Sequence, residues 1–491
     1  MFFSNDIFFL LPELHWVFSV VFFLLFATSL NATFRLIVFT QLGYMFLFFI
    51  FCLFVLYLQV PSYTFSLFNF QVVVDSFTHI FKLLFLVFLF LATVVSLNYF
   101  FLERIFFVEY YFLLGFFCLS AFFLASCNDL LMFYLAIELQ ALILYTLAAI
   151  KRYTVFSTES GLKYFVLGAF SSGLLLFGVS LFYGFCGTFN FFDIKFLLLG
   201  WFNYAAFFAL IVATVFLLSA ILFKLAAAPF HVWTPDVYEG APTAIVLLFA
   251  TLPKLAMFTF IVKLFIFFLY DLFSVWYAIF FFSGLLSVLI GTFAALNQFR
   301  IKRLYAYSGI VNVGYLVTLL AYGSLSGFVA IFNYLLVYIF STLLIFLIIL
   351  MFRVASNLKK VKSIPDYKIF ATYSSAFAVL FSLIFFSLAG VPPLAGFFTK
   401  FFLFKTLFVL DFMLNPAIFV ILVTSVISAF YYIRVVRFVF FDTKRFPQLF
   451  TKLSFFCVLL LVILSFWLVF FFLFQQLYLL FLVDALSLLF L

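Results

Sequence analysis

Charged residues are scarce in this chain: Asp, Glu, Lys and Arg make up 8% of its 491 residues, whereas 69% are hydrophobic. A soluble protein of this length would need far more polar surface. Apolar runs of about twenty residues, the length that crosses a bilayer as a helix, recur along the whole chain. The composition therefore excludes a soluble domain and predicts an all-α, polytopic membrane protein.

Patterns that bind metals or nucleotides are lacking as well. The five cysteines form no C-x-x-C pair and lie mostly in apolar runs, which argues against zinc or iron–sulfur ligation. The sequence has no G-x-G-x-x-G motif, no P-loop and no histidine pair at haem spacing. We therefore expect a chain that moves protons or ions without redox or nucleotide chemistry of its own. The cysteines are Cys52, Cys118, Cys127, Cys186 and Cys457.

Hydropathy predicts about fourteen spans. The first thirty or so residues are expected to form the first span, because they lack the basic region and small-residue cleavage site of a signal peptide. The predicted spans are residues 8–29, 36–58, 77–100, 107–126, 130–150, 160–183, 205–231, 241–269, 274–296, 303–321, 327–352, 369–406 (interrupted), 414–440 and 453–484.

Basic residues alternate between the two sides of the predicted membrane. Most of the 25 lysines and arginines fall in loops after odd-numbered spans, whereas Lys195 stands alone in the loops after even-numbered spans. The positive-inside rule places the basic side in the cytoplasm or mitochondrial matrix and both termini opposite. The net charge of +9 thus reflects topology and gives no reason to expect nucleic acid.

Several ionisable residues fall inside the predicted spans, where charge is costly and proton relays are a leading use. Glu138 is the one acid placed well inside a span. For Lys82, Lys263 and Lys405, near span ends, snorkelling or lipid contact is favoured, and it is a rival explanation for Lys163. The lysines within spans are Lys82, Lys163, Lys224, Lys254, Lys263, Lys400 and Lys405.

Two predicted spans carry a lysine beside a helix break. Lys224 precedes Pro229 and His231 in "FKLAAAPFHVW", and proline both kinks a helix and frees a carbonyl. Lys400 follows the breaking prolines Pro392 and Pro393 in "LAGVPPLAGFFTK". Broken helices at membrane depth are tolerated where they line a cavity or are buried in protein, so each lysine is predicted to occupy a polar site.

The other polar positions are open to two interpretations. Lys254 follows Pro253 in span eight and is again a lysine beside a kink. His231 is either a satisfied interfacial residue or a proton carrier, because its ordinary pKa lies near neutrality. Asn128 and Asp129 are expected to cap span five, and Asp236 and Glu239 are expected in a cap or turn.

Breaks in spans seven and twelve predict internal repeats. Corresponding interruptions in two halves are typical of transporters built from repeated units. Five spans separate the breaks, so spans four to eight and nine to thirteen would be two inverted five-helix repeats. The expected domains are residues 1–103 with three helices, 104–270 and 271–441 with one repeat each, and 442–491 with the last helix.

Four ordered motifs between about residues 100 and 440 resemble one family. They are "ASCNDLLMFYLAIELQALILYTLAA", "ESGLKYFVLGAFSSGLLLFGVSLFYG", "FKLAAAPFHVWTPDVYEGAPT" and "SLAGVPPLAGFFTKF". The chain resembles the antiporter-like subunit 2 of NADH:ubiquinone oxidoreductase, respiratory complex I, of the NuoN type. "IELQALILY" and "WTPDVYEGAP" favour this subunit over its two larger relatives.

The resemblance implies a proton-pumping role and assigns its residues. Glu138 and Lys224 match the family's paired glutamate and lysine, and Lys163 matches a modulating lysine. His231 and Lys254 match central relay positions, and Lys400 matches the terminal lysine. One position departs from the family pattern: Asn312 stands where relatives often carry a histidine, and asparagine can bind water but cannot titrate.

The resemblance also implies partners and cofactors. The chain would contact other complex I membrane-arm subunits, including neighbouring antiporter-like subunits, and membrane lipids. FMN, iron–sulfur clusters and ubiquinone would be held by other subunits, with no NADH or quinone contact here. The expected location is the mitochondrial inner membrane, with a bacterial plasma membrane as the alternative. Three rival functions stay open: a stand-alone or Mrp-type cation/proton antiporter subunit, an assembly scaffold and a passive pore.

Overall fold

The protein was analysed as a computed structural model. It describes residues 9–29, 35–59, 65–103, 105, 107–199, 204–354, 359–360, 362–368, 371, 374–410, 416–441, 448–450 and 455–490. The predicted basic-loop residues Arg104, Lys444, Arg445 and Lys452 lie outside these ranges.

The described chain is mainly helical. Its helices are α1 (Leu11–Ser29), α2 (Arg35–Gln59), α3 (Ser76–Glu103), α4 (Glu109–Ser126), α5 (Leu130–Ala148), α6 (Val155–Cys186), α7 (Phe191–Leu199), α8 (Tyr204–Leu225), α9 (Trp233–Gly240), α10 (Thr243–Lys263), α11 (Phe273–Leu296), α12 (Ile301–Ala321), α13 (Leu325–Met351), α14 (Ser375–Ala389), α15 (Ala395–Leu410), α16 (Pro416–Phe440) and α17 (Phe455–Phe490). A π-helical turn (Leu264–Phe268) and two 3-10 turns (Tyr270–Leu272 and Ile364–Tyr367) link some of them.

Short strands lie between helices. Strand β1 (Phe65–Leu67) pairs antiparallel with β2 (Val72–Val74), so that Phe65 faces Val74. Strand β3 (Phe352–Val354) lies between β4 (Lys359–Lys360) and β5 (Gln448–Phe450), and both pairings are antiparallel. In the links between helices, these strand pairings supply hydrogen bonds to backbone N–H and C=O groups that no helix pairs.

The predicted all-α, polytopic membrane class is confirmed. Within the described ranges, 13 helices are long and apolar enough to cross a membrane. The remaining predicted span, 369–406, is indeed interrupted, because it consists of the two shorter helices α14 and α15.

Helices differ in how much of their surface the protein covers. The apolar stretches of α12 and α13 are each 94% buried, whereas that of α6 is 39% buried and that of α17 is 28% buried. Exposed apolar side chains on α6, such as Leu162 and Phe170, suit a hydrocarbon environment. The polar groups of α12 and α13 therefore lie inside protein.

The chain separates into two compact units. The first comprises Met1–Ile221, Thr251–Trp276 and Ser487–Leu491, and the second comprises Leu222–Ala250 and Tyr277–Leu486. The inverted repeats and the domain limits expected from the sequence stay predictions.

The expected cap of the fifth span is present. Asp129 has extended backbone angles, and its Oδ1 accepts a hydrogen bond from the Leu131 N–H at 2.9 Å. This bond satisfies one of the N–H groups that a helix start leaves free. Burial raises the pKa of Asp129, and the Leu131 N–H partly offsets that rise by stabilising the carboxylate.

Candidate functional site

The first break falls one turn earlier than the sequence predicts. The seventh span was expected to run to residue 231, but α8 ends at Leu225. Ala226 takes the left-handed conformation, with φ of 63°, and the Ala227 N–H donates to the Leu222 carbonyl at 3.0 Å. A left-handed residue commonly ends a helix. Pro229 therefore lies in the link after the break rather than causing it.

Lys224 lies in the last turn of α8 and is half-buried. Carbonyl groups at a helix C-terminus lack partners within the helix and carry partial negative charge. Lys224 thus lies next to a helix break, as the sequence predicts, although the break comes before Pro229 and not at it.

The link after the break is held by side chains of the second unit. The Trp233 Nε1–H donates to the Phe223 carbonyl at 3.1 Å, and the two rings stack with centroids 5.7 Å apart. The Thr234 hydroxyl donates to the His231 carbonyl at 2.6 Å. The imidazole of His231 is half-buried, and its Nδ1 has no hydrogen-bond partner among the described residues.

Ion pairs connect α9, the helix that follows this link, to the start of α12. Glu239 pairs with Arg300 and, at 3.6 Å, with Arg303, which also lies 3.6 Å from Asp236. The Lys302 Nζ donates to the Ala241 carbonyl at 2.6 Å. Asp236 and Glu239 thus lie on a helix and bind the start of α12, instead of serving the cap or turn role expected from the sequence.

The second break brings a lysine directly onto free carbonyls. Helix α14 ends at Ala389, and Gly390 continues in the left-handed conformation with φ of 91°. The Lys400 Nζ, on α15, donates to the carbonyls of Leu388 at 2.8 Å and Ala389 at 3.0 Å. Lys400 is only 9% exposed. Pro392 and Pro393 lie in the intervening turn, where the sequence predicted the break.

Small residues allow the two halves of this broken helix to meet. A Cβ on Gly396 would collide with the Ser387 carbonyl, and one on Gly390 would lie 3.0 Å from Cδ of Lys400. Glycine has no Cβ, so the backbone can approach closely here. This approach brings α15, and with it Lys400, against the end of α14.

A small cavity lies beside Lys400 in the second unit. Its volume is about 20 Å³, and its polar lining includes Tyr334, Tyr338, Ser341, Thr399 and Lys400. This volume is about that needed for one water molecule, and Leu388 and Val337 add apolar surface to the lining.

Asn312 is connected to this cavity through Tyr334. The Tyr334 hydroxyl donates to Oδ1 of Asn312 at 2.8 Å, and both residues are buried. Asn312 is therefore hydrogen-bonded to a lining residue of the Lys400 cavity.

Three predicted residues lie in the first unit. Glu138, on α5, is half-buried, and its Oε2 is buried without a hydrogen-bond partner among the described residues. Lys254 is 7% exposed on α10 and follows Pro253 within that helix. Lys163 differs, because its ion pair with Glu159, at 2.7 Å, lies on the helix surface with the lysine side chain 44% exposed.

The predicted residues are thus brought together only in part. In the second unit, Lys224 and His231 flank one break, and Lys400 binds the other. Glu138 belongs to the first unit, so its pairing with Lys224 remains a prediction.

Sequence reasoning was wrong about two lysines and missed an acid. Lys82 was expected to reach water or lipid, but it is 2% exposed and its Nζ lies 2.6 Å from Oε1 of Glu13. Lys263 is 4% exposed, with its Nζ 3.4 Å from Oδ2 of Asp75. Lys405 is exposed, as expected.

A usable signal for the missed pair was present in the sequence. Glu13 and Lys82 both fall near the starts of odd-numbered spans, which begin on the same side of the membrane. Equal depth in parallel spans is a condition for pairing. The sequence did not reveal which helix faces point at each other.

Comparisons with known proteins extend these observations. Residues 127–431 match the membrane family described as NADH:quinone oxidoreductase/Mrp antiporter. The chain is 41% identical over 345 residues to NADH-ubiquinone oxidoreductase chain 2 of Marchantia polymorpha, covering 70% of this chain and 69% of that one. It is also 41% identical over 310 residues to NADH-quinone oxidoreductase subunit N 1 of Rhizobium meliloti (strain 1021), covering 63% of each chain, less than two thirds of that relative.

Solved structures share the fold. A chain of respiratory complex I from Thermus thermophilus with bound aureothin superposes with a TM-score of 0.78 at 27% identity, covering 96% of this chain and 98% of that one. A chain of the membrane-bound sulfane sulfur reductase, an archaeal respiratory membrane complex, gives a TM-score of 0.81 at 19% identity, covering 98% and 97%. The second likeness concerns the fold alone.

The broken helices and buried lysines thus occur on the fold of a membrane-embedded, antiporter-like protein, and the chain belongs to the NADH:quinone oxidoreductase/Mrp antiporter family. Its relatives within that family confirm the predicted resemblance to complex I subunit 2 of the NuoN type. The predicted multi-pass location, in a mitochondrial inner membrane or a bacterial plasma membrane, is confirmed as well.

Proposed function

We propose that this chain translocates protons in the membrane arm of complex I, driven by electron transfer from NADH to ubiquinone elsewhere in the complex. The observation that carries the proposal is the Lys400 site, where a buried lysine binds the free carbonyls of a broken helix beside a small cavity lined in part by hydroxyl groups. Ionisable residues held inside a membrane protein are candidates for proton relays.

The relay begins at Glu138 and Lys224. When Lys224 is charged, the carboxylate of Glu138 stabilises it, and the carbonyls at the end of α8 do the same. A movement that separates the pair removes part of this stabilisation, and Lys224 then releases its proton. The unpartnered Oε2 of Glu138 leaves that carboxylate able to accept a new contact.

The released proton passes along buried polar groups. Lys254 is the next acceptor, and Lys400 is the last, releasing to the sparsely basic side. His231, with its unpartnered Nδ1, binds water next to the first break. Lys163 modulates the charge at the entrance through its exchange of partners with Glu159. A water in the Lys400 cavity, together with Tyr334, replaces the missing histidine at Asn312.

The redox chemistry belongs to other parts of the assembly. In this proposal FMN, the iron–sulfur clusters and ubiquinone are bound by other subunits of the complex, and this chain contacts membrane-arm subunits, including antiporter-like neighbours, and lipid. Its own contribution is the protonation and deprotonation of fixed side chains.

The test replaces Lys224 in the assembled complex. The K224A variant should assemble, oxidise NADH and lose a large part of the protons moved per electron, measured in proteoliposomes with a pH-sensitive dye. K224R should also lose them, because arginine keeps the charge but does not give up its proton. Unchanged proton translocation in both variants would refute the assignment.

One observation favours a second candidate function. The matched family includes Mrp antiporters, so exchange of a cation for protons is the alternative. Sodium prefers several oxygen ligands. Transport that requires sodium, with no change when NADH oxidation is blocked, would support the alternative and not the proposal above.

A further inference from the structure

An ion pair that the relay above does not use is buried among the three N-terminal helices. The Lys82 Nζ, on α3, lies 2.6 Å from Oε1 of Glu13, on α1, and their side chains are 1% and 5% exposed. The Tyr57 hydroxyl, on α2, donates to the same carboxylate oxygen at 2.7 Å. Three helices of the first unit thus place their polar groups at one point.

Only one of the two carboxylate oxygens of Glu13 has hydrogen-bond partners among the described residues. Oε1 of Glu13 has two partners, whereas Oε2 is buried and has none among the described residues. An ionised carboxylate held only for packing is expected to have both oxygens hydrogen-bonded, because burying a bare acceptor is unfavourable. The free oxygen is a place for a proton or a water.

Other titratable groups surround the pair. His79 lies one turn before Lys82, is 9% exposed, and its ring meets the Tyr57 ring edge-on at 5.6 Å. Cys118 of α4 is fully buried and lies near Glu13. Lys82 is therefore the one strongly basic group against Glu13 among these neighbours.

A small cavity adjoins Lys82 within the first unit. Its volume is about 10 Å³, close to the least that one water needs. Its lining includes Lys82 on one side and Leu255, Ala256 and Thr259 of α10 on another. Leu255 and Ala256 directly follow Lys254, so the cavity lies between Lys82 and the part of α10 that carries a proposed relay residue.

We propose that Glu13 and Lys82 form a second proton-exchanging pair, which passes protons from the Lys254 region to the sparsely basic side of the membrane. The proposal rests on the proton-translocating function above. The N–H bond of Lys82 breaks and an O–H bond forms on Glu13, so that the ion pair becomes an amine and a carboxylic acid. The ammonium of Lys254 then gives up a proton, which water in the cavity relays to the Lys82 amine without itself losing a net proton. Lys254 is left as an amine that the relay recharges, and the acid on Glu13 releases its proton outwards.

The position of the pair fits an exit. Glu13 lies in the first turn of α1, and Lys82 lies in the second turn of α3. Both helices begin on the side that the distribution of basic residues places away from the matrix or cytoplasm.

The test uses K82R in the assembled complex. Arginine preserves the charge and the ion pair but does not release a proton. A purely structural pair would tolerate this change, whereas an exchanging pair would not. We expect at least a twofold fall in protons moved per electron, with NADH oxidation retained. The control is K151R, which makes the same replacement in the ion pair with Glu103, at 3.2 Å and with 17% of the lysine side chain exposed.

A second variant covers the case in which arginine does not fit. E13Q/K82Q keeps polar groups at both positions and removes both charges, and the same fall is expected. Normal proton translocation in either variant would overturn the proposal. Failure of both to assemble, while K151R assembles, would also overturn it by showing a structural role.

The K224A variant, measured in parallel, separates this inference from the proposed function. If K224A loses proton translocation and K82R does not, the exit pair is refuted and the relay stands. If K224A pumps normally, the relay itself is refuted.

Discussion

At the scale of single residues, backbone geometry decides where the lysines act. Lys400 reaches the Leu388 and Ala389 carbonyls because α14 stops there and Gly390 turns the chain. A free carbonyl inside a membrane protein needs a donor. Lys400 is such a donor, and its two contacts join α15 to the end of α14.

Gly396 gives a residue-scale prediction. In G396A the new Cβ would collide with the Ser387 carbonyl and push α15 away from α14. Overpacking of this kind costs about 1–3 kcal/mol. We expect a lower melting temperature of the complex and reduced proton translocation.

The matched control is G173A, where a Cβ meets nothing within 4 Å. Alanine within a helix is favoured over glycine by about 0.5–1 kcal/mol, so this variant should be neutral or more stable. Equal behaviour of G396A and G173A would contradict the close approach described at the second break.

Residue identity alone predicted some of these features but not others. The Asp129 cap and the lysines beside the breaks follow from local sequence, since caps and prolines act on their own neighbourhood. The Lys400 contacts could not be predicted, because they depend on how α14 and α15 fold back on each other. Lys82 was misjudged because depth alone does not show the direction of a side chain.

At the scale of elements, the lysine lies on a different side of the break in each of the two broken spans. Lys224 precedes the first break, in the last turn of α8, whereas Lys400 follows the second break and binds back to α14. Prolines in the sequence predicted a break in each of the two spans. The first break was expected at Pro229 because proline is the visible signal, whereas the chain turns at Ala226, which carries no such signal.

The fastening of α9 gives a prediction at this scale. E239A removes the pairs with Arg300 and Arg303, so that α9 is held mainly by Asp236 and by Lys302 on the Ala241 carbonyl. Partly exposed ion pairs contribute up to about 1 kcal/mol each. We expect faster amide hydrogen exchange across residues 233–240.

An exposed pair elsewhere provides the comparison. E159A breaks the pair with Lys163, whose side chain is 44% exposed, and should leave exchange in α9 unchanged. Slow exchange retained in α9 of E239A would show that the ion pairs do not hold this helix.

At the scale of the whole molecule, helices differ in how much of their surface the protein covers. Helices α12 and α13 are almost fully covered, and they carry Asn312 and Tyr334. Helix α6 exposes leucine and phenylalanine side chains, which suit a hydrocarbon environment. The overall class was predictable because hydropathy is averaged over many residues. The interior contacts could not be predicted, because each one depends on the direction in which a single side chain points.

The central claim is that buried lysines of this chain carry protons, and α15 offers a paired measurement. Lys400 is buried and Lys405 is exposed five residues further along the same helix. The number of protons moved per electron should be measured for K400M and K405M in the assembled complex, at matched rates of NADH oxidation. The account predicts a marked fall for K400M and none for K405M. Equal, undiminished proton translocation in both variants would contradict it.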